Sequence, residues 1–408
     1  EKGRTVRIGM VLDKRFPPDA RVENEAGMLI QAGYSVLIVC YPASGHNHSN
    51  HKGIKLVEIN RPKKWIRNGR ALIGSILDVY TKKWASYIHQ FIEDNKIDIL
   101  HVHDLYMALA AIQAAGKSGV PIIVDLHENY PAAIRTYNWA NKLPHKILVR
   151  PQQWRSLEER IFRQIDGLIV LSEYYKNQLM QRYPFLNESQ FVVYPNLPSI
   201  KEFEQYPILD DLIDTSGRFT LLYFGAIAER RGIFTVLEAL PRLVAKIPEI
   251  LVLLIGPVDK ADQTRFKNYL HNPELQGHII HYRWKDIRYL PSYITKSDVC
   301  LSPIIKNEQH ESGVANKIFQ YMLFEKPLLV SNCVPQEEIV NKYQCGLSFE
   351  SQSTGDLIEK TLILYNNRNL RQTIGKNGRT AVLEKYNVEE YSKYYIEQYQ
   401  IIYNSMRK

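Results

Sequence analysis

Short apolar runs rich in β-branched residues alternate with longer amphipathic segments along most of this chain of 408 residues. Runs of this kind are typical of buried parallel strands, and the segments between them are long enough for crossover helices. The alternation therefore predicts an α/β fold with parallel sheets. The runs of the first half are Val6–Leu12, Tyr34–Cys40, Ile54–Ile59, Ile97–His103, Pro121–His127, Gly167–Ser172 and Phe191–Pro195. Those of the second half are Phe219–Ala226, Ile250–Gly256, His278–Tyr282, Ser297–Pro303, Lys326–Asn332 and Cys345–Glu350.

The alternation stops over residues 196–217, which carry several Pro and Asp residues, and then restarts. A chain of this length is too long for one compact core. We therefore expect two Rossmann-like domains, at residues 1–200 and 218–384, joined by a linker at 201–217. A final helical segment is expected at residues 385–408.

Composition narrows the class of protein. Hydrophobic residues make up 45% and charged residues 23%, which is ordinary for a globular chain. The longest apolar runs fall well short of the roughly 20 residues that a spanning helix needs. Cys40, Cys300, Cys333 and Cys345 occur singly and without a CxxC pair, so reduced core thiols and a cytoplasmic setting are expected. The net charge of +9 favours an anionic partner.

Histidines lie at the ends of two neighbouring predicted strands in the first half. In open parallel sheets, ligands bind beyond the carboxyl ends of the strands. The stretches HVHDL and DLHENYP place His103, His127 and Glu128 at such an edge, with His101 nearby. A histidine in a strand is more often structural. Here two strand ends each carry a histidine beside an acidic residue, which favours a functional role for His103 and His127. The first strand is followed by no GxGxxG, which disfavours a dinucleotide-binding dehydrogenase.

In the second half, the stretch FGAIAERRGI follows a predicted strand and contains Gly225, Arg230 and Arg231. A strand, a small-residue turn and a helix can bring backbone N–H groups to a phosphate, and arginine adds bidentate donors. The stretch therefore predicts a phosphate contact. The alternative is a turn with solvated charges.

A second polar turn, HESGVANK, precedes an expected helix from about Val314 to Phe324. The positive end of that helix would suit an anion. Its apolar side chains have the spacing of a core-facing stripe, so the polar cluster is the informative part. The cluster comprises His310, Glu311, Ser312, Asn316 and Lys317.

Many weak motifs in a fixed order give the chain a family resemblance. They include GYSVLIV, DILHVHDLYMALAA, VDLHENYP, YFGAIAERRGI, YLPSYITKSDVCLSP and NKIFQYMLFEKPLLVS. In this order and spacing the sequence resembles a GT-B glycosyltransferase of the family 4 type over nearly its whole length. The resemblance implies an acceptor-binding domain first, a nucleotide-sugar domain second, a reaction in the interdomain cleft and a C-terminal helix crossing back. The segment Asn387–Asn404 is similar to that helix.

The resemblance also implies roles for residues. Arg231 matches the family's basic phosphate-binding residue, with Arg230 beside it, and His103 matches a histidine that faces the reacting sugar or the acceptor. The backbone of Gly313, Val314 and Asn316 would cap the phosphates. Charge on the departing diphosphate must be stabilised by a metal or by fixed cations. The sequence has no DxD, so we expect no metal and no cofactor besides the nucleotide sugar.

The sequence departs from the family pattern at three places. Ser312 and Gln320 stand where the family has two glutamates; Gln320 can still accept a hydrogen bond from a ribose, and Glu311 is one position from the first glutamate. Ala226 stands where many relatives have arginine. The resemblance implies sugar transfer to a hydroxyl of a glycan or lipid-linked saccharide, with retention. Two alternatives stay open, namely a non-catalytic GT-B-like scaffold subunit and a GT-B sugar-nucleotide epimerase.

The segment Arg61–Tyr87 is basic and aromatic. It has seven Lys or Arg residues against one Asp, interleaved with Trp65, Tyr80 and Trp84. Such a segment suits an anionic membrane surface, and it predicts a peripheral contact with the inner face of the membrane. The alternative is a solvated helix face. No recognisable RNA-binding module is present, so nucleic acid is not expected as a partner.

Overall fold

The computed structural model describes residues 4–43, 50–63, 78–116, 118–135 and 151–405. The chain forms two compact units. The first comprises Glu1–Tyr194 together with Ser392–Lys408, and the second comprises Pro195–Tyr391. Each is an α/β unit around a mostly parallel sheet, as the alternation of the sequence predicts.

The first unit contains a sheet of eight strands in the spatial order β3, β4, β2, β1, β5, β6, β7, β8. The strands are β1 (Arg7–Phe16), β2 (Ser35–Pro42), β3 (Asn50–His51), β4 (Ile54–Glu58), β5 (Ile99–His103), β6 (Ile122–Asp125), β7 (Gly167–Val170) and β8 (Phe191–Val193). The helices are α1 (Ala20–Gln31), α2 (Val79–Asn95), α3 (Leu105–Ala115), α4 (Tyr130–Ala133), α5 (Pro151–Phe162) and α6 (Glu173–Arg182). Among the described strands, only β3 pairs antiparallel with its neighbour, and its two residues are too few to give a signal in the sequence.

The second unit contains a parallel sheet of six strands in the order β11, β10, β9, β12, β13, β14. The strands are β9 (Phe219–Phe224), β10 (Ile250–Ile255), β11 (Ile279–Tyr282), β12 (Val299–Ser302), β13 (Leu328–Ser331) and β14 (Gly346–Phe349). The helices are α7 (Ile200–Phe203), α8 (Ile233–Val244), α9 (Gln263–Leu270), α10 (Leu290–Thr295), α11 (Asn316–Leu323), α12 (Val334–Tyr343), α13 (Thr354–Asn366) and α14 (Arg368–Glu384). The last helix, α15 (Val388–Ser405), contributes its residues from Ser392 onward to the first unit.

Buried strands anchor both cores. All six residues of β9 and of β10 are buried, as expected for central parallel strands with helices on both faces. The four cysteines are buried and unpaired, as the sequence predicts. Within the described ranges no helix combines the length and the apolar character needed to cross a bilayer.

The structure corrects the interpretation of two aromatic residues in the basic segment. Tyr80 and Trp84 lie on α2 and are fully buried in the core of the first unit. The Tyr80 hydroxyl donates to the Asp13 carboxylate, and the Trp84 ring packs 5.6 Å from that of Tyr41. They are therefore core residues and cannot serve as surface anchors. Residues 64–77, with Trp65, lie outside the described part of the chain.

Candidate functional site

Lys317 forms the base of a cationic cluster in the second unit. It lies in the first turn of α11, is 8% exposed, and places its Nζ 3.8 Å from the centre of the Tyr223 ring. A Cβ atom at Gly225 would lie only 3.0 Å from this Nζ, so glycine leaves the space that the ammonium group occupies. Burial, together with the charge of Arg231, holds the pKa of Lys317 well below its usual value. Among the described residues, Lys317 has no carboxylate salt-bridge partner, so an anion bound at this point would supply one.

Arg230 and Arg231 lie in a short 3₁₀ turn directly before α8. The turn ends at Gly232, where φ is +70° and a Cβ atom would lie 1.7 Å from the Pro303 carbonyl oxygen. Only glycine fits such a position, so the turn is fixed against the segment that follows β12. Arg230 lies 3.4 Å from Asp259. The turn therefore holds two guanidinium groups at the carboxyl end of the sheet.

His310 is buried beside these cations. Its Nδ1 lies 2.7 Å from the Ile305 carbonyl oxygen, and its backbone N–H donates to Asn307 Oδ1 at 2.9 Å. Burial is the main cause that lowers the pKa of His310 to about 4, and Arg231, Arg230 and Lys317 lower it further. All three basic side chains therefore lie close enough to the neutral His310 imidazole to lower its pKa. The structure thus brings together His310, Arg230, Arg231, Lys317 and Gly225 from the residues singled out in the sequence.

The helix expected to begin near Val314 begins at Asn316 instead. Gly313 is fully extended (φ −170°, ψ 180°) and Ala315 is the N-cap residue, with no side-chain capping hydrogen bond. The helix was expected from about Val314, so its start lies two residues later than the sequence indicated. In the first turn of α11, which starts at Asn316, the Ile318 N–H donates to the Ala315 carbonyl at 3.0 Å, so an anion there would meet the N–H groups of Asn316 and Lys317. This turn also carries Lys317.

Glu311, Ser312 and Gln320 occupy different surroundings. Ser312 donates its hydroxyl hydrogen to the Gln309 carbonyl at 2.7 Å. Glu311 points its carboxylate at the start of α12, where it accepts from the Val334 N–H at 3.5 Å and lies 3.7 Å from Lys306 Nζ. Gln320 is buried on α11, with 8% of its surface exposed. The side chain of Glu311 is 13% exposed.

A buried ionic cluster lies at the first sheet. Asp125, the last residue of β6, accepts two hydrogen bonds from Arg21, at 2.8 Å from Nε and 2.7 Å from the second terminal nitrogen. Arg21 also donates to the Tyr194 carbonyl at 3.0 Å and lies 2.9 Å from Glu25, one turn along α1. Such bidentate pairs fix the geometry of both partners. Asp125 is thereby held rigidly at the carboxyl end of β6.

The histidines predicted at this edge do lie together. His127 Nε2 is 2.7 Å from Asp125 Oδ2, and its Nδ1 is 3.6 Å from Asp104 Oδ1. His103 Nδ1 is 3.2 Å from both Asp125 Oδ2 and His127 Nε2. His103 is fully buried, whereas the side chain of His127 is 15% exposed. A ligand at this edge would therefore meet His127 before His103.

The pKa values follow from these contacts. Burial favours neutral His127, but the carboxylates of Asp125 and Asp104 outweigh it and raise the pKa of His127. Burial would raise the pKa of Asp125, yet Arg21 and His127 hold it well below its usual range. Burial raises the pKa of Glu25 to about 7 and lowers that of His101 to about 4. The edge thus carries an ionised Asp125 beside a His127 that favours the protonated form.

Four side chains of this cluster could in principle bind a metal. Glu25, His101, His103 and Asp125 bring one donor atom each within 4.8 Å of one another. Two imidazoles and two carboxylates would suit a zinc ion. However, Arg21 already donates to Asp125 and neutralises Glu25, so a divalent cation would have to compete with a buried guanidinium. The residues present fit a buried ionic network centred on Arg21 better than a metal centre.

The sequence reasoning missed Arg21, Glu25 and Asp125. Arg21 and Glu25 lie four residues apart on the same side of α1 as the apolar Val22, Ala26 and Leu29. Charged residues at helical spacing within a buried stripe are a signal that could have identified them. Asp125 was hidden as the last residue of the strand Ile122–Asp125. Glu128 is half-buried next to His127.

These features define a class of protein. Two parallel α/β units, one with a cluster of fixed cations at its strand ends, suit an enzyme that binds an anionic small molecule. The comparisons with known proteins agree. Residues 20–197 match the family described as Glycosyltransferase Family 4, and residues 211–381 match the family described as Glycosyl transferases group 1.

Relatives support the same assignment. The chain is 25% identical over 316 residues to a phosphatidyl-myo-inositol mannosyltransferase of Mycolicibacterium smegmatis, covering 74% of this chain and 71% of the relative. It is 24% identical over 193 residues to the capsular polysaccharide biosynthesis glycosyltransferase CapM of Staphylococcus aureus, covering 47% and 48%.

Solved structures share the fold. Sucrose-phosphate synthase from Thermosynechococcus elongatus superposes with a TM-score of 0.75 at 16% identity, over 98% of this chain and 100% of that one. Anabaena HepE, in complex with UDP and glucose, gives a TM-score of 0.68 at 13% identity, over 97% and 99%. The chain belongs to the family 4-like glycosyltransferases with the GT-B fold.

Proposed function

We propose that this glycosyltransferase moves a sugar from a nucleotide diphosphate sugar to a hydroxyl of a glycan or lipid-linked saccharide, with retention of the anomeric configuration. The observation that carries the proposal is the group of Lys317, Arg230 and Arg231 at the strand ends of the second unit. Cations held in place before the reaction stabilise the charge that develops on a departing diphosphate without reorganisation. The second unit is then the donor-binding unit.

The geometry supports the following roles within this site. Arg231 binds the diphosphate through charge-assisted hydrogen bonds, with Arg230 beside it. The first turn of α11, from Asn316, offers backbone N–H groups, and Lys317 adds charge from below Gly225. Gly313, Val314 and Ser312 lead into this turn, and Gln320 is a hydrogen-bonding partner for the ribose. Because the cations are supplied by the chain, we propose that the donor site works without a metal.

The first unit binds the acceptor. His127 is the imidazole that meets the ligand, and His103 orients it from behind, because His103 is fully buried and lies 3.2 Å from His127 Nε2. Arg21 fixes Asp125, which in turn fixes both rings. Glu128 is a further acceptor-side contact, and Glu311 acts at the donor sugar. The nature of the acceptor is supported by two relatives, one named a phosphatidyl-myo-inositol mannosyltransferase and one named for capsular polysaccharide biosynthesis.

The test is a transfer assay without added metal. The protein is incubated in EDTA with UDP-, GDP- and ADP-sugars and with mixtures of lipid-linked and free oligosaccharide acceptors, and products are followed by mass spectrometry and proton NMR. We expect one donor to yield a glycosylated acceptor of unchanged anomeric configuration. Absence of transfer with every donor would contradict the proposal, and an epimerised sugar formed without acceptor would replace it with the epimerase alternative.

A further inference from the structure

A carboxylate lies beside the cationic cluster of the second unit. Asp259 Oδ2 is 3.4 Å from Arg230 Nη2, and the two side chains are 33% and 29% exposed. The same carboxylate acts on Tyr223, whose ring lies against the Lys317 ammonium group. Burial raises the pKa of the Tyr223 hydroxyl to about 12, and Arg231 and Arg230 lower it. The charge of Asp259 raises this pKa, so the negative charge reaches the middle of the cluster.

Hydrogen bonds fix Asp259 beside the turn that carries Arg230. The Asp259 N–H donates to the Ile227 carbonyl at 2.9 Å. Three residues further on, Asp262 Oδ2 accepts from the Glu229 N–H at 3.0 Å. The segment that follows β10 is therefore joined to the turn at two points. The position of the carboxylate is set by the fold and does not depend on a flexible loop.

The backbone of Arg230 is held from the other side. The Ile305 N–H donates to the Arg230 carbonyl at 3.3 Å. Two residues later, Gly232 lies so close to the Pro303 carbonyl that a Cβ atom would not fit. With its backbone fixed, Arg230 can exchange one anionic partner for another only by moving its long side chain. Asp259 is the partner that it has in the free protein.

The charge of the ligand changes during the proposed transfer. In the donor, the outer phosphate is an ester of the sugar. When the sugar leaves, the bond between its anomeric carbon and the phosphate oxygen breaks, and the electron pair stays on that oxygen. Cations that stabilise this charge attract the nucleoside diphosphate product more strongly than the donor. Because product release limits the turnover of many enzymes, unopposed cations would slow the reaction by retaining the product.

We propose that Asp259 competes with the nucleoside diphosphate product for Arg230 and thereby lowers the affinity of the site for that product. This inference rests on the proposed function, because it takes the cationic cluster as the diphosphate site. The guanidinium group leaves Asp259 when it binds the diphosphate, and breaking a partly exposed ion pair costs a modest amount of free energy. Repulsion between the carboxylate and the bound phosphates acts in the same direction.

The experiment asks whether removing this charge strengthens binding. Titration calorimetry in EDTA measures UDP, GDP and ADP binding to the wild type and to Asp259→Asn, which keeps the size of the side chain. We expect Asp259→Asn to bind the preferred nucleoside diphosphate about fivefold more tightly. A residue that only supported the fold would weaken binding, or leave it unchanged, when substituted. In an Arg230→Gln background the gain should largely disappear, because the contested cation is absent.

Glu325→Gln is the matched control. It removes the same charge from the same unit, and Glu325 also pairs with an arginine, Arg379, at 3.7 Å. Glu325 follows the last turn of α11, whereas Lys317 lies in the first. Glu325→Gln should therefore bind nucleoside diphosphates as the wild type does.

Each contrary result has a distinct meaning. Unchanged or weaker nucleoside diphosphate binding in Asp259→Asn overturns the competition and leaves the proposed function standing. An equal gain in Glu325→Gln also overturns it, because net charge alone would then explain the effect. A full gain in the Arg230→Gln background overturns the role of Arg230 as the contested cation. Failure of every nucleoside diphosphate to bind the wild type overturns both proposals.

Discussion

Lys317 is the residue whose environment says most about the ligand. A lysine with 8% exposure, a lowered pKa and its Nζ 3.8 Å from the centre of a tyrosine ring is costly to keep charged in the free protein. Burial disfavours its charged form, and Arg231 adds repulsion. A bound dianion reverses both effects, because it supplies the missing opposite charge. The residue would therefore gain a proton when the proposed diphosphate ligand binds.

Nucleoside diphosphate binding should take up protons. The pKa of Lys317 is lowered in the free protein and rises in the complex, so at a pH between the two values the complex binds more protons than its separate components. The measurement is titration calorimetry in buffers of different ionisation enthalpy, whose slope gives the number of protons. Lys317→Met should abolish the uptake. Absence of proton uptake at every pH below the usual pKa of lysine, or uptake that persists in Lys317→Met, would contradict this role.

His101 should make the first unit sensitive to acid. Burial lowers the pKa of His101 from 6.5 to about 4, so the unfolded chain binds a proton that the folded chain excludes in this range. The free energy of unfolding therefore falls as the pH falls from about 6.5 to about 4, by on the order of 3 kcal/mol from this group. Glu25 acts in the opposite sense, because its raised pKa of about 7 gives stability that is lost as the pH rises from 4.5 through 7.

Denaturant titrations of the wild type and His101→Gln at several pH values test this. Glutamine is polar, close to histidine in size and does not titrate, and the residue it replaces has its Nε2 3.1 Å from Glu25. The variant should lose less stability than the wild type between pH 6.5 and pH 4. If the free energy of unfolding changed with pH in the same way for both proteins, His101 would not be buried in its neutral form.

The proposed donor site is positioned mainly by turns and by the start of one helix. The turn carrying Arg230 and Arg231 is fixed by Gly232, and the space for Lys317 is left by Gly225. Gly232 and Gly217 offer a matched comparison, since both are in the left-handed region, at φ +70° and +68°. A Cβ atom at Gly217 would meet nothing within 4 Å, whereas at Gly232 it would collide with Pro303.

Gly232→Ala should therefore destabilise the second unit far more than Gly217→Ala. The control pays only the backbone cost of alanine in the left-handed region, about 1–2 kcal/mol. Gly232→Ala adds the displacement of the Pro303 backbone, for about 2 kcal/mol or more beyond the control. Thermal and denaturant unfolding of both variants measure the difference. Equal losses would mean that the turn is not held against Pro303.

The strands and the parallel character of the sheets could be predicted from the sequence, whereas several residues of the candidate site could not. Parallel strands buried on both faces must be continuously apolar, so runs such as Ile250–Gly256 identify themselves. The start of α11 was misplaced because Ser312 and Gly313 look like a helix start, while the backbone stays non-helical through Ala315. Arg21 could not be paired with Asp125 from sequence, because the two are 104 residues apart and meet only through the fold.

The last helix, α15, brings the chain back to its first unit. Residues from Ser392 onward belong to that unit, and Tyr395, Tyr399 and Ile402 of α15 are fully buried. Ile402 packs so closely on β7 that a Cβ atom at Gly167 would lie 2.9 Å from it. The Tyr399 ring stacks 6.1 Å from that of His101, so the same helix also covers the ionic cluster.

Two neighbouring isoleucines of α15 test this return. Ile402→Ala should cost about 2–5 kcal/mol of unfolding free energy, because it leaves a cavity in the core. Ile401 is 40% exposed on the same helix, so Ile401→Ala should change stability by less than about 0.5 kcal/mol. Denaturant unfolding followed by circular dichroism measures both. Similar effects of the two substitutions would contradict the packing of α15 on the first unit.

The most direct test of the central claim is calorimetric titration of UDP, GDP and ADP into the protein in EDTA, repeated with Arg231→Ala and Arg242→Ala. Arg242 is an exposed arginine on α8 of the same unit and serves as the control. The account predicts that one nucleoside diphosphate binds without a divalent metal, that Arg231→Ala weakens it about tenfold or more, and that Arg242→Ala does not. Binding that requires magnesium, or that is indifferent to Arg231, would contradict a donor site built from the cations of the chain.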